Sequence, residues 1–249
     1  MYDKITGIYF SATDNTKKCV SAMVDCFEKE KVLIDITQNK EYERVDFCQS
    51  DFVIFGAPVY AGRLPYAARQ RFQSFFGHNT KCVIIVSYGN RDYDDALIEL
   101  KDLAEQQGFI VIGGAALVCK HTYGEIQTTR PDKNDILEMK DFISQALNKS
   151  DVNDLKIKGN RPYKDGIEKC HFRPITSDEC IKCGLCVKKC PFGAIDKDCK
   201  SISDKCMSCL RCVKICPKKA KSVNYKEYND FAKMFSEKLS KRRENEYFL

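Results

Sequence analysis

Between residues 180 and 217 one cysteine pattern is written twice: Cys180, Cys183, Cys186 and Cys190 before Pro191, then Cys206, Cys209, Cys212 and Cys216 before Pro217. Aligning 180–195 with 206–221 also matches Val187 with Val213, Lys188 with Lys214 and Ala194 with Ala220. Eight of sixteen positions therefore agree at an offset of 26, and the segment is an internal repeat. A stretch so dense in thiols folds around whatever binds them. Two C-x2-C pairs could hold one tetrahedral zinc ion, but zinc has no use for the third cysteine or the Cys-Pro step of each run. A cubane iron–sulfur cluster uses both. The tight C-x2-C-x2-C loop presents three thiolates, the fourth comes from elsewhere, and each proline holds its preceding cysteine extended and turns the chain away.

The run C-x2-C-x2-C-x3-C-P resembles that of bacterial two-cluster ferredoxins. The resemblance implies a crossed fourth ligand. One [4Fe-4S] cluster takes Cys180, Cys183, Cys186 and Cys216; the other takes Cys206, Cys209, Cys212 and Cys190. Seven cysteines are left over, Cys19, Cys26, Cys48, Cys82, Cys119, Cys170 and Cys199, and most sit in apolar stretches where a free thiol is a small core residue. No basic start followed by an apolar segment suggests secretion, so reduced thiols and a cytoplasmic location are expected. The longest nearly apolar run, Phe109 to Cys119, is too short to span a bilayer and reads as a buried strand; no membrane association is expected.

The net charge of +6 is unevenly placed. Residues 1–150 hold 18 Lys or Arg against 21 Asp or Glu, so 151–249 hold 23 against 14, a balance of +9. Eight thiolates and two oxidised cubanes together contribute about −4, so much of this basic character compensates cofactors. No stripe of interleaved basic and aromatic residues accompanies it, and nucleic acid is not an expected partner.

Residues 1–150 alternate strand and helix signals, the pattern of an α/β domain with a doubly wound, five-stranded parallel sheet. The expected strands are Ile5–Phe10, Val32–Ile36, Phe52–Ala57, Cys82–Ser87 and Phe109–Val118, short runs without polar alternation. Apolar spacing predicts helices over Thr16–Glu30, Tyr66–Phe76, Asp94–Gln107 and Asp132–Leu147. Residues 151–176 read as a linker, although Tyr163, Ile167 and Phe172 are not linker-like. A small α+β two-cluster domain over 177–222 and a helical tail over 223–249 follow. The tail's Phe231, Met234, Phe235 and Leu239 form a short seam expected to dock on its own protein.

In open sheets of this type ligands bind beyond the carboxyl ends of the strands, where strand order reverses. The loop after the first strand is Ser11-Ala12-Thr13-Asp14-Asn15-Thr16, whose hydroxyls, amide and helix N-terminus suit a phosphate. It resembles the flavodoxin phosphate loop, [S/T]-x-T-G-N-T. The loops Pro58-Val59-Tyr60-Ala61-Gly62 and Ser87-Tyr88-Gly89-Asn90 through Tyr93 resemble the flavin-facing loops of that superfamily. With the two cysteine runs following, nearly the whole chain is similar to fusions of a flavodoxin-like domain with a ferredoxin. The resemblance implies FMN, its phosphate on Ser11, Thr13, Asn15 and Thr16 and its ring between the other two loops, with Tyr60 and Tyr93 as stacking candidates. It also implies a peptide at Ala61-Gly62 that turns toward the flavin as its redox state changes. Asp14 departs from the pattern: it stands where flavodoxins prefer glycine. It can adopt the glycine's left-handed conformation, but its charge faces a phosphate unless it pairs with Lys17 or Lys18.

One flavin and two cubanes on one chain imply an electron-transfer protein serving redox partner proteins, with the domains docking to pass electrons. A flavin-dependent reductase of a small molecule, fed by its own clusters, is an alternative, as is a flavin-free docking module fused to a ferredoxin. A bound nicotinamide is disfavoured, since no G-x-G-x-x-G follows the first strand. His78, His121 and His171 read as structural or exposed.

Overall fold

The computed structural model describes residues 2–149, 155–166 and 172–249; Ile167, Cys170 and His171 lie outside them. The strands of the main sheet are β1 (Lys4–Tyr9), β2 (Glu30–Asp35), β4 (Asp51–Pro58), β6 (Thr80–Tyr88) and β7 (Phe109–Val118), with β10 (Glu246–Phe248) at one edge. Their order is β10-β7-β6-β4-β1-β2. All pairs are parallel except β10 on β7. The five expected strands are present and take the doubly wound 2-1-3-4-5 order. The sixth was not expected: the tail over 223–249 is not wholly helical, and its last residues pair with the β7 edge. Three residues are too few to carry a readable period.

Successive residues of the central strands point to opposite faces, so each strand feeds two cores. Ile8, Val53, Phe55, Ile84 and Val86 face one; Ile5, Phe52, Ile54, Val83 and Ile85 face the other. The second face is covered by α1 (Asn15–Val24) and α4 (Lys133–Asn148), through Cys19, Val20, Met23, Met139, Phe142 and Ile143. The first is covered by α2 (Tyr66–Phe72) and α3 (Ala96–Gln106). Helix α1 stops at Val24 rather than Glu30, and α2 stops at Phe72. Phe75–Gly77 becomes a strand, β5, pairing in parallel with β3 (Val45–Phe47) as a separate ribbon. A Cβ on Gly56 would lie 2.4 Å from Val20 Cγ2; the missing side chain lets α1 settle on the sheet and fixes the loop before it.

The cysteine-rich segment is built from β8 (Ile175–Thr176), two helical turns, α5 (Leu185–Lys188) and α6 (Arg211–Ile215), and β9 (Lys221–Ser222), antiparallel to β8. It shares a core with the first sheet face. Cys190, Phe192, Ala194, Cys209 and Cys212 belong to the same apolar cluster as Phe10 and Ala57, and the Phe192 ring meets Phe10 at 5.9 Å and Tyr66 at 5.4 Å. The buried Arg71 guanidinium crosses this contact, donating to Ile36 O and Thr37 O on one side and, at 2.6 Å, to Pro191 O on the other.

Part of the expected linker is packed rather than free. Asp95 accepts from the backbone of Asn160 and Lys164, and Arg161 and Tyr163 both reach Asp102 on α3. Helix α7 (Lys226–Lys238) lies on the loop after β7, with Phe235 against His121 and Phe231 against Tyr123. Among the described residues no helix is long and apolar enough to cross a membrane.

Candidate functional site

A cavity of about 380 Å³ opens where strand order reverses between β1 and β4. Of the expected flavin-site residues, Ser11, Ala12, Thr13, Asn15, Thr16, Pro58, Val59, Tyr60, Ala61, Ser87, Tyr88 and Gly89 line it. Gly62, Asn90 and Tyr93 do not. Tyr93 is fully buried, donates its hydroxyl to Glu246 and packs edge-on against Tyr88; it is a core residue, not a stacking platform. Asn90 instead clasps the tail, donating to Leu239 O and Lys241 O and accepting from Arg243 N. Ala61 and Gly62 both have left-handed backbones, φ 52° and 84°.

The first loop is held from beneath and from the side. Thr16 Oγ1 and Ser87 Oγ lie 2.7 Å apart, Asn15 Nδ2 donates to Lys120 O, and Ser11 Oγ accepts from Lys17 N. Asp14 takes φ 72°, the left-handed conformation expected of a residue in a glycine's place. Its carboxylate pairs not with Lys17 or Lys18 but with Lys214 of the second cysteine run, at 2.7 Å. Arg211 Nη1 donates to Ser11 O and Ala12 O, and Lys214 Nζ to Thr13 O. Burial acts to raise the Asp14 carboxyl; Lys214, helped by Arg211 and Lys17, outweighs it and holds the group below the ordinary carboxylate value.

The remaining wall comes from residues the sequence pattern did not single out for this site: Cys119 to Tyr123 after β7, Phe172, Met207 to Cys209, and Phe231 of α7. Motif reading had no means of finding them, because they converge from four separate segments. His121 is one of them, and it is neither exposed nor isolated. Burial pushes its imidazole down to about 4, and its Nδ1 lies 2.8 Å from Tyr123 N and 3.1 Å from Tyr123 O. Burial, reinforced by nearby Cys209, pushes the Tyr60 hydroxyl well up. Among the described residues the buried Tyr88 hydroxyl and Arg211 Nε have no hydrogen-bond partner. The hydroxyls and amide of the first loop, set against walls that include Val59, Tyr60, Phe172 and Phe231, suit a polar, planar ligand with an anionic group.

The cysteines separate into two sets. Cys180, Cys183, Cys186 and Cys216 line one small cavity, Cys199 with them. Cys190, Cys209 and Cys212 lie together in the shared core, with Cys206 against it, and Cys190 is within electrostatic reach of both Cys209 and Cys212. Lys221 lines the first cavity, its buried Nζ without a hydrogen-bond partner among the described residues, and an orphaned ammonium there fits an anionic tetrathiolate cluster. Among the described residues no three His, Cys, Asp or Glu side chains converge on a single metal ion; a cubane spreads its thiolates over four irons. Of the left-over cysteines, Cys26 and Cys48 are exposed rather than core residues.

Residues 174–196 and 200–222 each match the 4Fe-4S binding domain family. No curated protein matches the chain. Among solved structures it is similar to a flavodoxin from the domain Archaea (15% identity, 58% of this chain and 99% of the other, TM-score 0.40) and to flavodoxin 2 from Bacillus cereus (15%, 58% and 97%, 0.43). A short-chain flavodoxin associated with a bacterial microcompartment is also similar (12%, 61% and 100%, 0.43). The fold assignment rests on the strand order itself. The chain joins a flavodoxin-like α/β domain to a ferredoxin-type segment that carries two 4Fe-4S binding motifs.

Proposed function

We propose that this chain is an electron-transfer protein in which FMN occupies the cavity at the sheet's switch point and two [4Fe-4S] clusters continue the path to the surface. In this reading Cys190, Cys206, Cys209 and Cys212 hold an inner cluster, and Cys180, Cys183, Cys186 and Cys216 hold an outer one. The observation that carries the reading is the place of Cys209, an inner-cluster ligand that is also a wall of the flavin cavity. FMN supplies exchange of one or two electrons, and each cubane passes one.

The residues then have distinct tasks. Ser11, Thr13, Asn15 and Thr16 bind the phosphate with neutral donors at the N-terminus of α1. Tyr60, with the 58–61 and 87–89 loops, holds the ring. Phe172, Phe231 and Met207 keep water from it. Arg71 and Phe192 keep the inner cluster in place against the sheet, so transfer between flavin and cluster needs no docking and undocking of domains. Cys183 is exposed, as are its neighbours Ile181 and Lys182, which makes the outer cluster the exchange point with redox partner proteins.

Acid-released flavin and iron, measured on one anaerobic preparation, test the reading. About one FMN with about eight irons is expected from two cubanes; eight irons with no flavin, even after adding FMN, would sink the flavin assignment. A second reading, reduction of a small molecule at the flavin, is favoured by His121 and Tyr123 lining the same cavity, where they could supply protons. Turnover of a substrate without any partner protein would support it.

A further inference from the structure

The outer-cluster cavity is lined by five cysteines, and a cubane takes four. The fifth, Cys199, stands outside both repeats, in the interval between the two matched motifs. It is 1% exposed, its Sγ donates to Lys197 O at 3.8 Å, and it lines the same cavity as Cys186. Its backbone sits at φ 62°, uncommon for a residue with a side chain. Two contacts hold it there: Cys199 N donates to Asp196 O at 2.9 Å, and Thr176 Oγ1 donates to Cys199 O at 3.2 Å. Lys221 lines the same cavity, and its buried Nζ has no hydrogen-bond partner among the described residues.

We propose that Cys199 is a reserve ligand of the outer cluster. While Cys186 holds its iron, Cys199 stays at the cavity wall as a thiol; when Cys186 is lost, Cys199 takes that iron. In the exchange the Cys199 S–H bond breaks, its proton leaves to solvent, an iron–sulfur bond forms to Cys199 Sγ, and no electron is transferred. The other three ligands stay in place.

The inference rests on the ligand assignment proposed above, and iron content separates the two. Cys186→Ala is expected to retain about eight irons after anaerobic reconstitution, whereas Cys186→Ala with Cys199→Ala retains about four. A fall to about four in Cys186→Ala alone would overturn the reserve ligand and leave the assignment standing. About eight in the double variant would overturn both. Cys199→Ala by itself, with all eight motif cysteines present, supplies an independent readout if Cys186→Ala loses both clusters through misfolding. It should change the electron paramagnetic resonance signal of one reduced cluster and spare the other. Two unchanged signals would place Cys199 out of reach of the iron and overturn the proposal.

Discussion

Lys214 Nζ stands 2.7 Å from the Asp14 carboxylate and 2.6 Å from the carbonyl of Thr13, so a residue of the second cysteine run completes the first loop of the sheet. The pair neutralises a charge that would otherwise face the phosphate of a bound flavin. Lys214→Met should weaken FMN binding roughly three- to tenfold, the modest range expected of a half-exposed pair. Asp14→Asn should tighten it, and the double variant should return near the starting affinity. Titration by flavin fluorescence quenching checks all three; an unchanged affinity in Lys214→Met would remove the pair from the binding site.

Arg71 has four acceptors spread over both halves of the chain, among them Pro191 O and Asn39 Oδ1. Arg71→Met leaves buried carbonyls without a charged donor and should cost about 3 kcal/mol. Thermal unfolding of the cluster-loaded protein measures it, and the inner cluster should be lost before the outer one.

His121 gives stability a pH dependence with a definite sign. Its imidazole titrates at about 4 in the folded protein against 6.5 ordinarily, so between those values the unfolded chain binds more protons. Stability contributed by the neutral ring is fully present above pH 6.5, falls as pH drops toward 4, and changes little below. The whole effect is at most about 3 kcal/mol. Denaturant unfolding across this range should show the slope, and His121→Gln should flatten it.

Lys221 places a buried charge in the cavity lined by Cys180, Cys183, Cys186 and Cys216, the proposed outer-cluster site. Lys221→Met removes it and should make the outer cluster harder to reduce, on the order of tenfold in the equilibrium or about 59 mV for one electron. A redox titration followed by electron paramagnetic resonance reads the shift. No movement of either midpoint would mean that the ammonium lies too far from the iron to act.

The tail closes the sheet's edge through residues that carry no motif. Tyr247 packs on Phe142 at 5.1 Å, and Asn245 accepts from Val118 N and donates to Glu138. Removing residues 246–248 uncovers the edge of β7, and an uncovered edge is a template for pairing with other chains. The shortened protein should unfold at lower temperature and aggregate, as followed by light scattering.

Local signals were enough for what local chemistry decides. Five strands, the two cysteine sets and most of the loops that line the cavity are written in short runs of sequence, because strand burial, thiolate spacing and a turn at a helix N-terminus each depend on a few neighbouring residues. Even the left-handed backbone of Asp14 was legible, since only a few residue types accept that conformation. The partner of Asp14, the burial of Tyr93, the cavity role of His121 and the strand at Glu246–Phe248 were not. Each depends on which distant segment arrives beside it: Lys214 lies 200 residues from Asp14, and Glu246 lies 153 from Tyr93. Packing between such segments follows the shapes of both surfaces. Only the tertiary structure could decide that Cys209 of the second cysteine run and the loop at 58–61 line one cavity.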